Sequence, residues 1–261
     1  MQTLSEVPTL YIVATPIGNL EDITLRALRV LRSVSTIACE DTRNTLNLLR
    51  HFEIVGKSLL SYHNFNERSC TEKILSLLES GESVALVSDA GTPGISDPGF
   101  YVVREAWKRG FNVSPVAGAS ALAAAVSASP LPINRFHFEG FLPQKKGRQT
   151  RLKFLSALET TIILYESPHR FLKLLAELQA YLGDRTITVA RELTKLHEEF
   201  QTGKLSEIIL KFSTRKILGE FVIIVSAGNE ENVFPESDLA TESLSSENET
   251  DDGSSQEIAA E

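Results

Sequence analysis

The 261 residues carry 26 Lys+Arg against 34 Asp+Glu, a formal net charge of −8, and a surplus of that sign, taken whole, argues against a nucleic-acid partner because phosphate binding calls for excess cations. With 42% hydrophobic residues the composition is that of a globular protein of one large or two ordinary domains. No apolar run approaches the ~18 residues of a membrane span, Glu6 precedes the first apolar run without a basic leader, and Cys39 and Cys70 are too few for a zinc site, so membrane insertion, secretion and metal binding are not expected and a reduced cytoplasmic setting is.

Taken in chain order, the first half alternates short β-rich runs at 10–15, 36–39, 58–62, 84–88 and 112–116 with helical patterns at 24–33, 42–51, 69–80 and 98–109. Such alternation implies βαβ units on a mostly parallel sheet. A small-residue helix over 120–129 leads into Pro130-Leu131-Pro132, a hinge signal. The second half suggests strands near 136–139, 161–165, 186–191 and 220–225, with helices near 148–158, 169–182 and 205–211. The charge is unevenly spread. Residues 230–261 hold 11 acidic side chains and no basic ones, which leaves the first 229 residues with 26 basic and 23 acidic groups. The body is therefore mildly basic at +3, and the last stretch reads as an acidic disordered tail. The expected division is an N-terminal α/β domain over 1–117, a C-terminal α/β domain over 118–229 with a basic hinge at 143–153, and the tail over 230–261.

Three small-residue loops follow strands. SDAGTPGISDPG (88–99) packs three Gly and two Pro into twelve residues directly after an apolar strand, so its backbone amides can approach a ligand closely. A tight βα connection is the structural alternative. ATPIGNLEDIT (14–24) and VAGAS (116–120) repeat the pattern, and in an open α/β sheet such turns face one crevice beyond the strand ends. No glycines are spaced G-x-G, and Gly94-x4-Gly99 is followed by Phe100-Tyr101, so neither a Rossmann nor a Walker fingerprint fits. Gly118-Ala119-Ser120 is only half a nucleophile elbow. Lys145, Lys146, Arg148, Arg151 and Lys153 fall within nine residues, a polyanion-binding candidate whose alternative is a solvated helix face. EDTRNT (40–45), YESPHR (165–170) and RELTKLHEE (191–199) each set carboxylates beside cations at a strand end, adding Arg43, Arg170 and Arg191 to the phosphate-contact candidates. His51 and His137 read as structural or surface groups.

In this order, ATPIGNLEDIT, EDTRNT, SDAGTPGISDPG, VAGASA, GFLPQKKGR, LYESPHR, RELTKLHEE and GEFVI resemble the ribosomal RNA small subunit methyltransferase I family, over about residues 9–228. The resemblance implies a two-domain class III (tetrapyrrole methylase-like) α/β methyltransferase with S-adenosylmethionine in the inter-domain cleft. It further implies a homodimer that methylates a cytidine ribose 2′-hydroxyl of 16S rRNA in the decoding region of the 30S subunit. Carried over by motif, the cofactor contacts would be Pro16, Ile17, Asp89, Ala90, Gly91, Thr92, Gly94, Ser120, Ala121, Tyr165, Glu166, Leu193 and Glu220. Glu166, Glu192, Lys195 and His197, with Asp89, are the candidates for moving the hydroxyl proton, and the choice among them stays open. RNA contacts would fall on Arg43, Lys145, Lys146, Arg148, Arg151, Arg170 and Arg191. This chain has Ala117-Gly118 where the family commonly has Pro-Gly, and its acidic segment stands where many relatives carry a small helical module. The competing readings are methylation of a tetrapyrrole or other small acceptor, and a non-catalytic ribosome-binding protein.

Overall fold

The computed structural model describes residues 7–228. The acidic segment expected to be disordered, 230–261, lies outside the described residues. The first sheet is built from β1 (Thr9–Val13), β2 (Thr36–Cys39), β3 (Ser58–Ser61), β4 (Val84–Val87) and β5 (Asn112–Val116), in the order β3-β2-β4-β1-β5 with every pair parallel. Such a sheet needs cover on both faces, and the strand residues alternate accordingly. Leu10, Val84 and Leu86 join α3 (Glu67–Glu79) and α4 (Phe100–Lys108) in one cluster, while Tyr11, Val13, Ala85 and Val87 join α1 (Leu25–Ser33) and α2 (Thr42–His51) in the other. Both cysteines are buried in these layers.

Helix starts follow local chemistry. Thr24 caps α1 by accepting from Ala27 N at 3.1 Å, and Asp41 caps α2 by accepting from Arg43 N at 2.8 Å. Pro115 sits in β5, at the sheet edge, where a missing amide costs no ladder bond to a further strand. The connections that leave the adjacent parallel strands β1 and β4 run in opposite directions across the sheet, from β1 toward β2 and from β4 toward β5, and the loops that follow these two strands are ATPIGNLEDIT and SDAGTPGISDPG. That junction is the switch point at which open α/β sheets take ligands.

After α5 (Ala121–Ser127), which packs against β10 (Phe221–Val225), the second sheet comprises β6 (Phe136–Phe141), β7 (Thr161–Glu166), β8 (Thr186–Arg191), β9 (Glu199–Lys204) and β10. Its order is β6-β7-β10-β8-β9, with β6 and β7 parallel and the remaining pairs antiparallel. Side chains from α6 (Arg148–Ser156), α7 (Phe171–Leu182) and α8 (Leu205–Ser213) close one face around Phe171, Phe212 and Phe221, with the Phe171 and Phe221 rings stacked at 4.0 Å. β9 was not expected from sequence: EFQTGK carries a single large apolar residue, and its extended form comes from pairing with β8 alone at the sheet edge. Among the described residues no helix is long and apolar enough to cross a membrane.

Candidate functional site

The loops after β1 and β4 are tied to each other before they meet anything else. Thr15 N donates to Gly91 O at 2.8 Å and Gly91 N returns a bond to Thr15 O at 3.0 Å. The Thr15 hydroxyl donates to Ser88 O at 3.2 Å, and the Thr92 hydroxyl reaches Ala119 O at 3.1 Å, which draws in the loop after β5. Gly91 has φ +80°, a left-handed conformation that strains any residue with a Cβ, so the loop's path along the crevice favours glycine.

These loops form one wall of a cavity of about 330 Å³; the other wall comes from the second sheet. Ile17, Ala90, Gly91, Thr92, Ser120 and Ala121 line the first side, and Tyr165, Glu166, Leu193, Glu220, Phe221 and Val222 the second. The volume is in the range of small-molecule sites. Because β7 and β10 run antiparallel, the end of one and the start of the other meet at the same place, bringing Tyr165-Glu166 beside Glu220-Phe221. The Tyr165 ring lies edge-on to Phe138 and Phe141, at 5.1 and 5.6 Å, and burial pushes its pKa up to about 12.

Glu166 is the central polar group of this wall. Its side chain is fully buried; Oε1 takes an ion pair from Arg170 at 2.7 Å and a bond from Ser167 N at 2.8 Å, while Oε2 has no protein partner. A buried carboxylate oxygen left open costs on the order of 1–3 kcal/mol, so this atom marks where a donor from a bound molecule belongs. Sequence reasoning missed Ile95, Ser96, Asp97 and Phe141, which also line the cavity. The only signal for the first three was the second half of the Gly/Pro loop, ISDPG, which reads equally as a turn, while Phe141 ends β6.

Several expected contacts lie elsewhere. Pro16 and Asp89 face a neighbouring depression of about 410 Å³ with Asn44, Asn47 and His51 of α2. Asp89 accepts there from Asp41 N at 3.0 Å and Asn44 Nδ2 at 2.9 Å, which places it away from the cavity it was expected to line. Gly94 is also absent from that cavity's lining.

The 192–198 loop holds a closed ion cluster. Glu192 and Thr194 adopt left-handed backbone, φ 50° and 65°. Lys195 Nζ bridges Glu192 Oε1 at 2.9 Å and Glu220 Oε2 at 3.0 Å. Burial works against ionisation at Glu192, but Lys195, the Glu220 amide and Arg191 outweigh it and hold the carboxyl below its ordinary range. Burial likewise opposes the charge on Lys195, and its two carboxylates outweigh that and raise its pKa. This arrangement favours the charged form of both groups, and His197 is exposed and does not line the cavity. The stem of Lys195 lies where a Cβ of Gly18 would stand, so the two walls touch here without room for a side chain.

The cation candidates divide sharply. Arg148 is buried: it pairs with Glu177 at 2.6 Å and donates to Pro143 O at 3.0 Å, which removes it from any RNA-facing surface. Helix formation turns it inward, since Leu152 and Leu155, on the same side, pack into the core. Arg170 holds Glu166, Arg151 holds Glu139, and Arg191 bonds Leu218 O at 2.6 Å and Glu199 at 3.4 Å. Arg43 is exposed but paired to Asp41 at 2.6 Å, and that hydrogen-bonded pairing lowers the Asp41 pKa to about 2. Lys145 and Lys146 are exposed and, among the described residues, form no ion pair.

The profile of the Tetrapyrrole (Corrin/Porphyrin) Methylases matches residues 9–209. The chain is 49% identical to "Ribosomal RNA small subunit methyltransferase I" of Thermotoga maritima over 83% of this chain and 97% of that one. It is 48% identical to the protein so named from Synechocystis sp., over 89% and 85%. The crystal structure of uroporphyrin-III C-methyltransferase from Thermus thermophilus complexed with S-adenosyl homocysteine superposes with a TM-score of 0.58 at 18% identity, covering 83% of this chain and 96% of that one. The shared fold at that identity, the family match across most of the body and relatives near half identical agree. The chain belongs to the tetrapyrrole methylase family and, within it, to the ribosomal RNA small subunit methyltransferase I group.

Proposed function

We propose that the protein transfers the methyl group of S-adenosylmethionine to the ribose 2′-hydroxyl of a specific cytidine in the decoding region of 16S rRNA, acting in the cytoplasm on the 30S subunit as a homodimer. The observation that carries the cofactor half is the inter-sheet cavity, lined on one side by the Gly91 loop and on the other by Glu166, whose buried Oε2 has no protein partner. A glycine-dependent backbone wall at Ala90–Thr92, apolar contacts from Ile17 and Leu193, and one buried acceptor suit a molecule with an apolar body and hydroxyl or amino donors. When bound, S-adenosylmethionine supplies an electrophilic methyl carbon on a positively charged sulfur.

The chain's own contribution is then positioning. Backbone at 90–92 and 120–121 fixes one side, Glu166 accepts a donor on the other, and Arg170 pairs with that carboxylate and orients it. Lys145 and Lys146 are available to RNA phosphates. The relatives' names support rRNA as the acceptor, and the 2′-oxygen and the cytidine rest on the motif resemblance. Labelled S-adenosylmethionine is incubated with the protein and 30S subunits from cells lacking this activity, and the label is mapped after nuclease digestion. Label on one cytidine ribose is expected; label on a base, or none on RNA, overturns the reading.

A further inference from the structure

The two helical layers of the first sheet differ in charge. α3 and α4 together carry Arg68, Lys73, Arg104 and Lys108 against Glu67, Glu72, Glu79 and Glu105, so their charges cancel. Glu105 takes Arg104 at 3.1 Å and Lys108 at 3.0 Å, and Arg109, just beyond α4, is tied to Glu72 at 2.6 Å and Glu79 at 3.2 Å. On the opposite face, α1 and α2 carry Arg26, Arg29, Arg32, Arg43 and Arg50 and no carboxylate. Arg43 is paired to Asp41; the other four form no ion pair among the described residues.

Stability accounts for only part of this set. Cations in the last turn of a helix complement its dipole, which suits Arg32 in α1 and Arg50 in α2. Arg26 stands in the first turn of α1, where a positive charge opposes the dipole, and Arg29 is mid-helix. Arg26 Nη2 donates to Pro115 O at 2.9 Å and Arg32 Nη2 to Phe52 O at 3.2 Å. Each bond uses one of five N–H donors on a guanidinium, so it fixes the side chain and leaves most of its donors available. Arg29 is half-buried, with its Nε enclosed and without a protein partner. Arg26, Arg32 and Arg50 are exposed.

We propose that the α1–α2 layer is a docking surface for the phosphate backbone of the acceptor RNA, contacted through Arg26, Arg29, Arg32 and Arg50; this rests on the reading of rRNA as the acceptor. The layer borders the cofactor cavity. α1 begins where the loop after β1 ends, and Ile17 of that loop lines the cavity. α2 turns Asn44, Asn47 and His51 into the depression of about 410 Å³ that Pro16 and Gly18 of the same loop also line. Arginines without counter-charges, placed there, hold neighbouring phosphates while one nucleotide reaches the crevice. The planar guanidinium fork matches two phosphate oxygens, and such contacts set the register of a nucleic acid without reading its sequence. Together with Lys145 and Lys146 before α6, the RNA is then held by cations from both halves of the chain.

The test uses the full chain and two fourfold variants that remove the same charge. One replaces Arg26, Arg29, Arg32 and Arg50 with Gln, which keeps helix propensity. The control replaces Arg68, Lys73, Arg104 and Lys108 of the opposite layer with Gln. S-adenosylmethionine affinity by calorimetry should stay within twofold of wild type in both, which certifies folding. Binding to 30S subunits is then followed against salt. The arginine variant should lose about 3 from the slope of log K against log salt, at roughly 0.7–0.9 per phosphate, so its deficit shrinks about 60-fold between about 50 and 200 mM. The control should stay within about 1 of the wild-type slope. Arg26→Gln alone, which removes a charge the helix dipole opposes, should leave Tm unlowered and still take about 0.8 from the slope. Unaltered slopes in the arginine variants overturn the surface, and equal losses in the control reduce it to overall charge. Tighter binding by the arginine variant means that an acidic partner, such as the chain's own residues 230–261, occupies the layer instead of RNA. Wild-type protein that shows the arginine dependence but labels no ribose overturns the methylation reading and leaves the surface standing. Labelled ribose with an unaltered slope overturns the surface alone.

Discussion

Arg148 and Lys146 stand two positions apart in the same basic run, yet one is sealed against Glu177 and the other faces water. The difference is that Lys146 lies in the turn before α6 while Arg148 opens the helix on its core-facing side, and it separates two effects that the sequence presents as one. Replacing Arg148 with Ala strips the cation from a mostly buried pair and should cost about 2 kcal/mol, seen as a drop in Tm of several degrees, with the salt dependence of RNA binding unaltered. Replacing Lys145 and Lys146 with Ala should leave Tm within about 1 °C and flatten the slope of log K against log salt by about 1.5, given roughly 0.7–0.9 per phosphate contact. Equal effects on Tm from both changes would mean that Arg148 is no more buried than the two lysines. At this scale the sequence was readable for residue types and blind to direction. It named Glu166, whose carboxylate follows an apolar strand, and passed over Asp97, which in ISDPG is indistinguishable from a turn residue.

Elements were legible where their signal is local. β2, β5, α2 and β8 occupy the expected residues because apolar runs and Asx or Thr caps are written into neighbouring positions. β9 was not, since a half-exposed edge strand is decided by its partner rather than by its own composition. Contacts between loops are equally invisible to periodicity, and the meeting of Gly18 with Lys195 is one of them. Gly18→Ala should push Lys195 off Glu192 and Glu220, lower Tm by roughly 2–4 °C for about 1 kcal/mol of overpacking, and weaken S-adenosylmethionine binding severalfold. The double variant with Lys195→Ala should be no worse than Lys195→Ala alone, because the colliding stem is then gone. Additive losses in the double variant would show that the two walls do not press on each other here.

For the whole molecule, net charge is a poor guide, because the negative sum is set by the segment after residue 229 while the body is at +3. Chain order says more. The cavity takes its lining from Ile17 through Val222, so its walls are contributed by nearly the full described length. No half of the chain holds the site, and opening either sheet dismantles it. Any molecule seated there is consequently a rivet through both sheets, and its binding energy is shared by every part of the fold. At 100 times its Kd, S-adenosylmethionine should add about 2.7 kcal/mol to global unfolding, raise Tm by roughly 5–10 °C, and slow hydrogen exchange at Ile12 of the first sheet and Ile223 of the second together. Protection confined to the first sheet would mean that the rivet does not reach through.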